Sequence, residues 1–126
     1  MQIALWIVQG LLAFAFFMAG MMKTVKSKEE LQGTGDRMAW TEDFDANVLK
    51  GIGLVEVLGA IGLILPILLG IAEFLTPLAA AGLILTMIGA IITHVRRGEM
   101  QAIVSNVVLG AMAAFVLWQY ADLLQF

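Results

Sequence analysis

Four long apolar runs, at roughly 3–22, 51–72, 74–93 and 101–120, alternate along the chain with short polar breaks and one longer mixed segment at 23–50. Each run is about 20 residues, the length at which an α-helix crosses a hydrocarbon layer of about 30 Å. The pattern predicts an all-α fold: a four-transmembrane-helix bundle, forming a single integral membrane domain over residues 1–126. Pro66, Gly70 and Pro77 bracket the turn between the second and third runs, where freed backbone groups lie near water. Within 23–50, Ser27 and Glu30 have capping-box spacing, and Met38, Trp40 and Phe44 are set among Asp36, Arg37, Glu42, Asp43 and Asp45. A short amphipathic segment is therefore expected in the first connection. Its plainer role is a solvated linker whose aromatics touch lipid headgroups; the alternative is a lid over the mouth of the bundle.

Composition agrees with the pattern and narrows the chemistry. The chain is 61% hydrophobic and 13% charged, against about 25% charged in ordinary soluble domains. It has no cysteine, so thiol redox chemistry, disulfides and thiolate metal sites are excluded for this chain. A net charge of -3 and the lack of a groove-sized basic patch argue against nucleic acid as a partner. No basic stretch precedes the first run and positive charges follow it, so it reads as an uncleaved anchor.

The basic residues Lys23, Lys26, Lys28, Arg37, Lys50, Arg96 and Arg97 all fall in or beside the first and third connections. By the positive-inside rule these connections face the cytoplasm and both termini are extracytoplasmic, in a multi-pass protein of the bacterial inner membrane. Trp6, Trp118 and Tyr120 then mark the outer interface and Trp40 the inner one. Small residues supply faces for close helix approach: Gly20 with Gln9 and Ala13, Gly59 and Gly62, Gly82 with Thr86 and Ala90, and Gly110 with Ala114. Intramolecular packing is their expected use, with self-association as the alternative.

One carboxylate, Glu56, interrupts the second run. Such a group is costly in a bilayer and needs a partner or a task. Glu56 lies six residues past Lys50, roughly 9 Å along the helix. Asn106 sits at a similar depth, and Lys23 and His94 reach the same layer from the other helices, with Arg96 and Arg97 beneath. The candidate polar cluster is thus Lys23, Glu56, His94, Arg96, Arg97 and Asn106. Glu56 either pins helix register through Lys23 or an arginine, or lines a pocket for a ligand's polar head, with His94 as a further donor. No paired-acid motif, HExxH, nucleophile elbow or phosphate loop is present, so no catalytic or metal-ligating residue is assigned. The eight methionines read as packing rather than a copper path.

The runs FFMAGMMK (16–23), GLVEVLGAIGLILP (53–66) and PLAAAGLILTMIGAIITHVRRGE (77–99) together resemble the DoxX-like family of small four-helix membrane proteins. The resemblance matches Lys23 to the family's lysine closing the first helix and Glu56 to its acidic residue in the second. It matches Thr93, His94, Arg96, Arg97, Gly98 and Glu99 to the end of the third helix. It implies an accessory or assembly role beside membrane redox systems or receptors, with no certain cofactor. The alternative it implies is a quinone- or lipid-binding subunit of a membrane oxidoreductase using Glu56 and His94. Expected partners are the lipid bilayer and a membrane protein or second copy of the chain.

Overall fold

The computed structural model describes residues 2–124, except for the side chains of Asp36 and Arg37. Four helices are long and apolar enough to cross a membrane: α1 (Gln2–Val25), α3 (Ala46–Leu69), α4 (Leu75–Arg97) and α5 (Met100–Tyr120), the last extended by a 3-10 turn over Ala121–Leu124. Between α1 and α3 lie the short helix α2 (Lys28–Gln32) and a 3-10 segment over Asp36–Asp43. The protein is a multi-pass membrane protein with the expected all-α, four-helix architecture and a short segment in its first connection.

The helices outrun the apolar stretches that announce them. Apolar length measures the thickness of hydrocarbon to be crossed, whereas a helix runs on to its next stop signal. α3 begins at Ala46, after an extended Asp45, and ends where Gly70 adopts a left-handed φ of 66°. α4 continues to Arg97 because the left-handed residue is Gly98, with φ 71°. At both ends the glycine N–H turns back onto carbonyls of the last turn, as left-handed caps do. α2 starts with both halves of a capping box: Ser27 Oγ accepts from the Glu30 N–H, and Glu30 accepts from the Ser27 N–H. Those backbone and side-chain bonds from Ser27 hold the Glu30 carboxyl below the ordinary carboxylate range.

Packing follows the order α1, α3, α4, α5, with only a thin contact closing α5 back onto α1. α3 touches both α1 and α4, which suits a helix that is apolar around its whole circumference. The core runs from Leu5, Leu12 and Phe16 through Leu63 and Leu83 to Ala113 and Val116. Large apolar side chains such as Ile3, Phe14, Leu58 and Leu85 point outward, as a lipid-facing surface requires.

Two devices hold the helices where burial of oil against oil contributes little. The first is a backbone contact between α1 and α3. A Cβ on Gly20 would lie 2.6 Å from the Gly53 carbonyl oxygen, and one on Gly53 2.6 Å from that of Gly20. Gly59 and Gly62 similarly admit Leu83 and Ala79 of α4. The other faces marked in the sequence are looser, since nothing lies within 4 Å of a Cβ on Gly82 and only Met87 approaches Gly110, at 3.6 Å.

The second device is polar and sits at the end of the bundle away from the first connection. Pro66 lies inside α3 and has no N–H, so the carbonyl four residues earlier, that of Gly62, loses its helical donor. Thr76 Oγ1 of α4 donates to it at 2.8 Å. Beside it, fully buried Gln9 of α1 donates from Nε2 to the Leu63 carbonyl at 2.8 Å, while its Oε1 accepts from the Tyr120 hydroxyl at 2.8 Å. All four spanning helices therefore meet in one hydrogen-bonded set around the proline.

Two stability tests follow from these contacts. Gly53→Ala is expected to lower the melting temperature in detergent, at a cost of about 1–3 kcal/mol for overpacking against backbone. Gly10→Ala, where nothing lies within 4 Å, is expected to be neutral or stabilising by up to about 1 kcal/mol through helix propensity. Thr76→Val should cost about 1 kcal/mol by orphaning the Gly62 carbonyl. That loss should shrink in a Pro66→Ala background, where residue 66 regains its N–H; an undiminished loss would show that the proline is not what frees the carbonyl.

Candidate functional site

At the opposite end, the polar residues marked in the sequence divide into an inner pair and an outer cluster. Lys23 closes α1 and Glu56 lies ten residues into α3. Because Gly20 and Gly53 let these two helices touch one turn away, the lysine stem can run along α3 to the carboxylate. Lys23 Nζ donates to Glu56 Oε1 at 2.7 Å. The residues are only 8% and 3% exposed, so each charge depends on the other rather than on water.

The first connection folds over this pair. Leu31 and Thr41 are fully buried, and Trp40 presents its ring to Lys23, with Nζ 5.7 Å from the ring centroid. At that distance the indole face attracts the ammonium. The same ring meets His94 edge-on at 6.0 Å and Phe44 at 5.7 Å. The segment thus covers the pair as a lid would, with its tryptophan over a cation and beside an imidazole.

His94 does not reach Glu56. Its Nδ1 lies 2.8 Å from Glu99 Oε1, just past the left-handed turn at Gly98. Arg97 Nε donates to the other oxygen of Glu99 at 3.2 Å. Arg97 Nη1 reaches across to the lid, 3.0 Å from Glu42 Oε1 and 3.1 Å from Asp43 Oδ2. Burial pushes the Glu99 carboxyl up, but the bonds from His94 and Arg97 and their charges outweigh it and hold the group below the ordinary carboxylate range. A carboxyl depressed by folding stabilises the fold above its unfolded value and loses that contribution as pH falls through its folded one.

The structure therefore brings Lys23 and Glu56 together, links them to His94 only through Trp40, and gives Arg97 to the lid. Arg96 is exposed and makes no ion pair among the described residues. Asn106 stands apart on α5, its Nδ2 buried without a hydrogen-bond partner. Four participants went unassigned in the sequence: Trp40 as cover, Glu99 as partner of both His94 and Arg97, and Glu42 and Asp43 as the lid's anchors. Spacing gave one available signal, since a glycine stop between Arg97 and Glu99 folds an acid back onto the helix end.

Two shallow grooves lie elsewhere. One of about 460 Å³ runs between α1 and α5, lined by Val8, Val108, Ala111, Met112 and Phe115. Another of about 300 Å³ lies between α1 and α3, bordered by Ala13, Phe17, Ala60 and Ile64 among others. Both are apolar, and neither is lined by Lys23, Glu56 or His94.

The model of the DoxX-like family matches residues 7–116, and the chain belongs to that family. No curated protein and no solved structure matches it.

Breaking the inner pair provides the test of its energetics. Glu56→Gln or Lys23→Met alone should cost about 3–5 kcal/mol, because each strands the other charge in a dry layer. The double variant should recover part of this, with a coupling of about 1–3 kcal/mol in thermal unfolding of the detergent-solubilised protein. Strict additivity would mean that the two side chains do not meet.

Proposed function

We propose that the protein is a non-catalytic accessory or assembly subunit of the bacterial inner membrane, with both termini extracytoplasmic and the lid on the cytoplasmic side. In this reading Lys23, Glu56, His94 and Arg97 form a structural clasp that fixes α1 against α3 and the lid against α4. Working contacts are made by the outward faces of the helices, toward lipid and toward a membrane protein partner or a second copy of the chain. The observation that carries the reading is the 2.7 Å Lys23–Glu56 pair beneath Trp40. A carboxylate already neutralised by a tethered ammonium has no spare charge for a ligand. A quinone or lipid headgroup at Glu56 and His94 would have to displace Lys23 from one and Glu99 from the other. The orientation rests on the basic residues around the lid and the α4–α5 turn.

Native mass spectrometry of the protein purified in mild detergent tests this function. A protein partner or a second copy is expected to co-elute, without stoichiometric quinone. A quinone bound one per chain, and lost in Glu56→Gln while the variant remains folded, would replace the accessory reading with the oxidoreductase-subunit one. Orientation is tested separately, since the chain has no cysteine. A cysteine at Gln2 should react with an impermeant maleimide on intact cells and one at Ser27 should not; the reverse would invert the topology. A cysteine at Gln125, a position outside the described residues, should react as the one at Gln2 does.

A further inference from the structure

The lid has two parts, α2 and the 3-10 segment Asp36–Asp43, which carries Trp40, Glu42 and Asp43. The two pack on each other, with Lys28 Nζ donating to the Glu42 carbonyl at 3.4 Å, and each makes only a thin contact with a spanning helix, α2 with α1 and the 3-10 segment with α4. Between the halves stands Gly35, whose φ of 134° is a conformation side-chain-bearing residues rarely adopt. Among the described residues, every side-chain ion pair that joins residues 26–45 to the spanning helices passes through Arg97. Its two lid partners are open to solvent, with side chains 61% exposed for Glu42 and 48% for Asp43. Arg97 itself is steadied from behind by Glu99. What this fastening covers is the buried Lys23–Glu56 pair, through Trp40.

We propose that α2 and residues 36–43 form one lid latched by Arg97, so that releasing Glu42 and Asp43 uncovers the Lys23–Glu56 pair. The design separates two tasks. Trp40 provides an apolar cover over Lys23 and beside His94. Arg97 provides a solvent-accessible fastening, which ions in solution can weaken because exposed pairs are screened by salt. The inner pair is buried and feels that screening far less. Ionic strength at the membrane surface therefore acts on the latch before it acts on the clasp beneath. The latch does not depend on the accessory reading, because it concerns access to the pair and not what meets it.

Thr41 provides the reporter. It is fully buried in the lid, and its hydroxyl bonds only back to the Met38 carbonyl, so Thr41→Cys disturbs little and introduces the only thiol in the chain. Labelling by a water-soluble maleimide in nanodiscs then measures how often the lid opens. Arg97→Gln should speed labelling about fivefold, the scale of one lost exposed pair network. The combined Glu42→Gln and Asp43→Asn variant should do the same from the lid side. Arg96→Gln, one residue away on α4, should leave the rate unchanged. High salt should raise the parent's rate toward that of Arg97→Gln and leave that variant's rate nearly constant. If Arg97→Gln fails to fold, the lid-side variant decides, since both its substitutions fall on exposed side chains. Equal rates in parent and lid-side variant, or an equal rise in Arg96→Gln, would overturn the latch.

Discussion

Hydrocarbon offers no hydrogen bonds, and every polar group this chain carries into it has to be answered by another part of the chain. The helices satisfy most of that demand internally. Among what remains are a carbonyl bared by Pro66, a glutamine, a lysine and a carboxylate. Each of these is met across a helix boundary, by Thr76, by Tyr120 and the Leu63 carbonyl, and by the Lys23–Glu56 pair; the Asn106 amide on α5 is not. Because packing oil against oil gives little discrimination in a bilayer, these few contacts, with the Gly20–Gly53 backbone approach, decide which faces of the helices meet.

The two polar layers differ in kind. The set around Pro66 is uncharged and ties all four spanning helices. The one beneath the lid is charged, joins α1 to α3 directly, and reaches α4 through the lid, by the contact of Trp40 with His94 and the pairs of Glu42 and Asp43 with Arg97. A neutral network can remain in place at little cost, whereas a buried ion pair is costly to form and more costly to break. Covering it with Trp40 excludes water from a charge that would otherwise draw it in. The arrangement concentrates electrostatic sensitivity at one end of the molecule, where the connection is long enough to move.

Much of this was legible in the sequence, and the limits have physical causes. Apolar length revealed the four spans, the capping box revealed α2, and depth counting brought Lys23 near Glu56, because rise per residue is fixed and the bilayer sets a common frame. Helix ends were less legible, since they depend on left-handed glycines at 70 and 98 and an extended Asp45 rather than on hydropathy. Depth alone also could not say which way a side chain turns. His94 and Asn106 share the layer of Glu56, yet the histidine faces Glu99 and the asparagine amide meets no partner. The network around Pro66 was hidden because half of it is backbone: no pattern of side chains announces that the Gly62 and Leu63 carbonyls accept bonds from other helices. Gly53 likewise looked like any other glycine in the run, although it is the one that meets Gly20.

The Lys23–Glu56 pair also bears on how the chain enters the membrane. An isolated acidic residue near the middle of a span disfavours insertion by about 2.5–3.5 kcal/mol. When α3 emerges from the ribosome, α1 has already been made and carries Lys23 at its end, 33 residues behind Glu56. The natural unit of insertion is therefore the α1–α3 hairpin, in which the two charges cancel before either faces lipid alone. α4 and then α5 follow in chain order, and α5, which buries the fewest residues of the four spans, packs chiefly on α4.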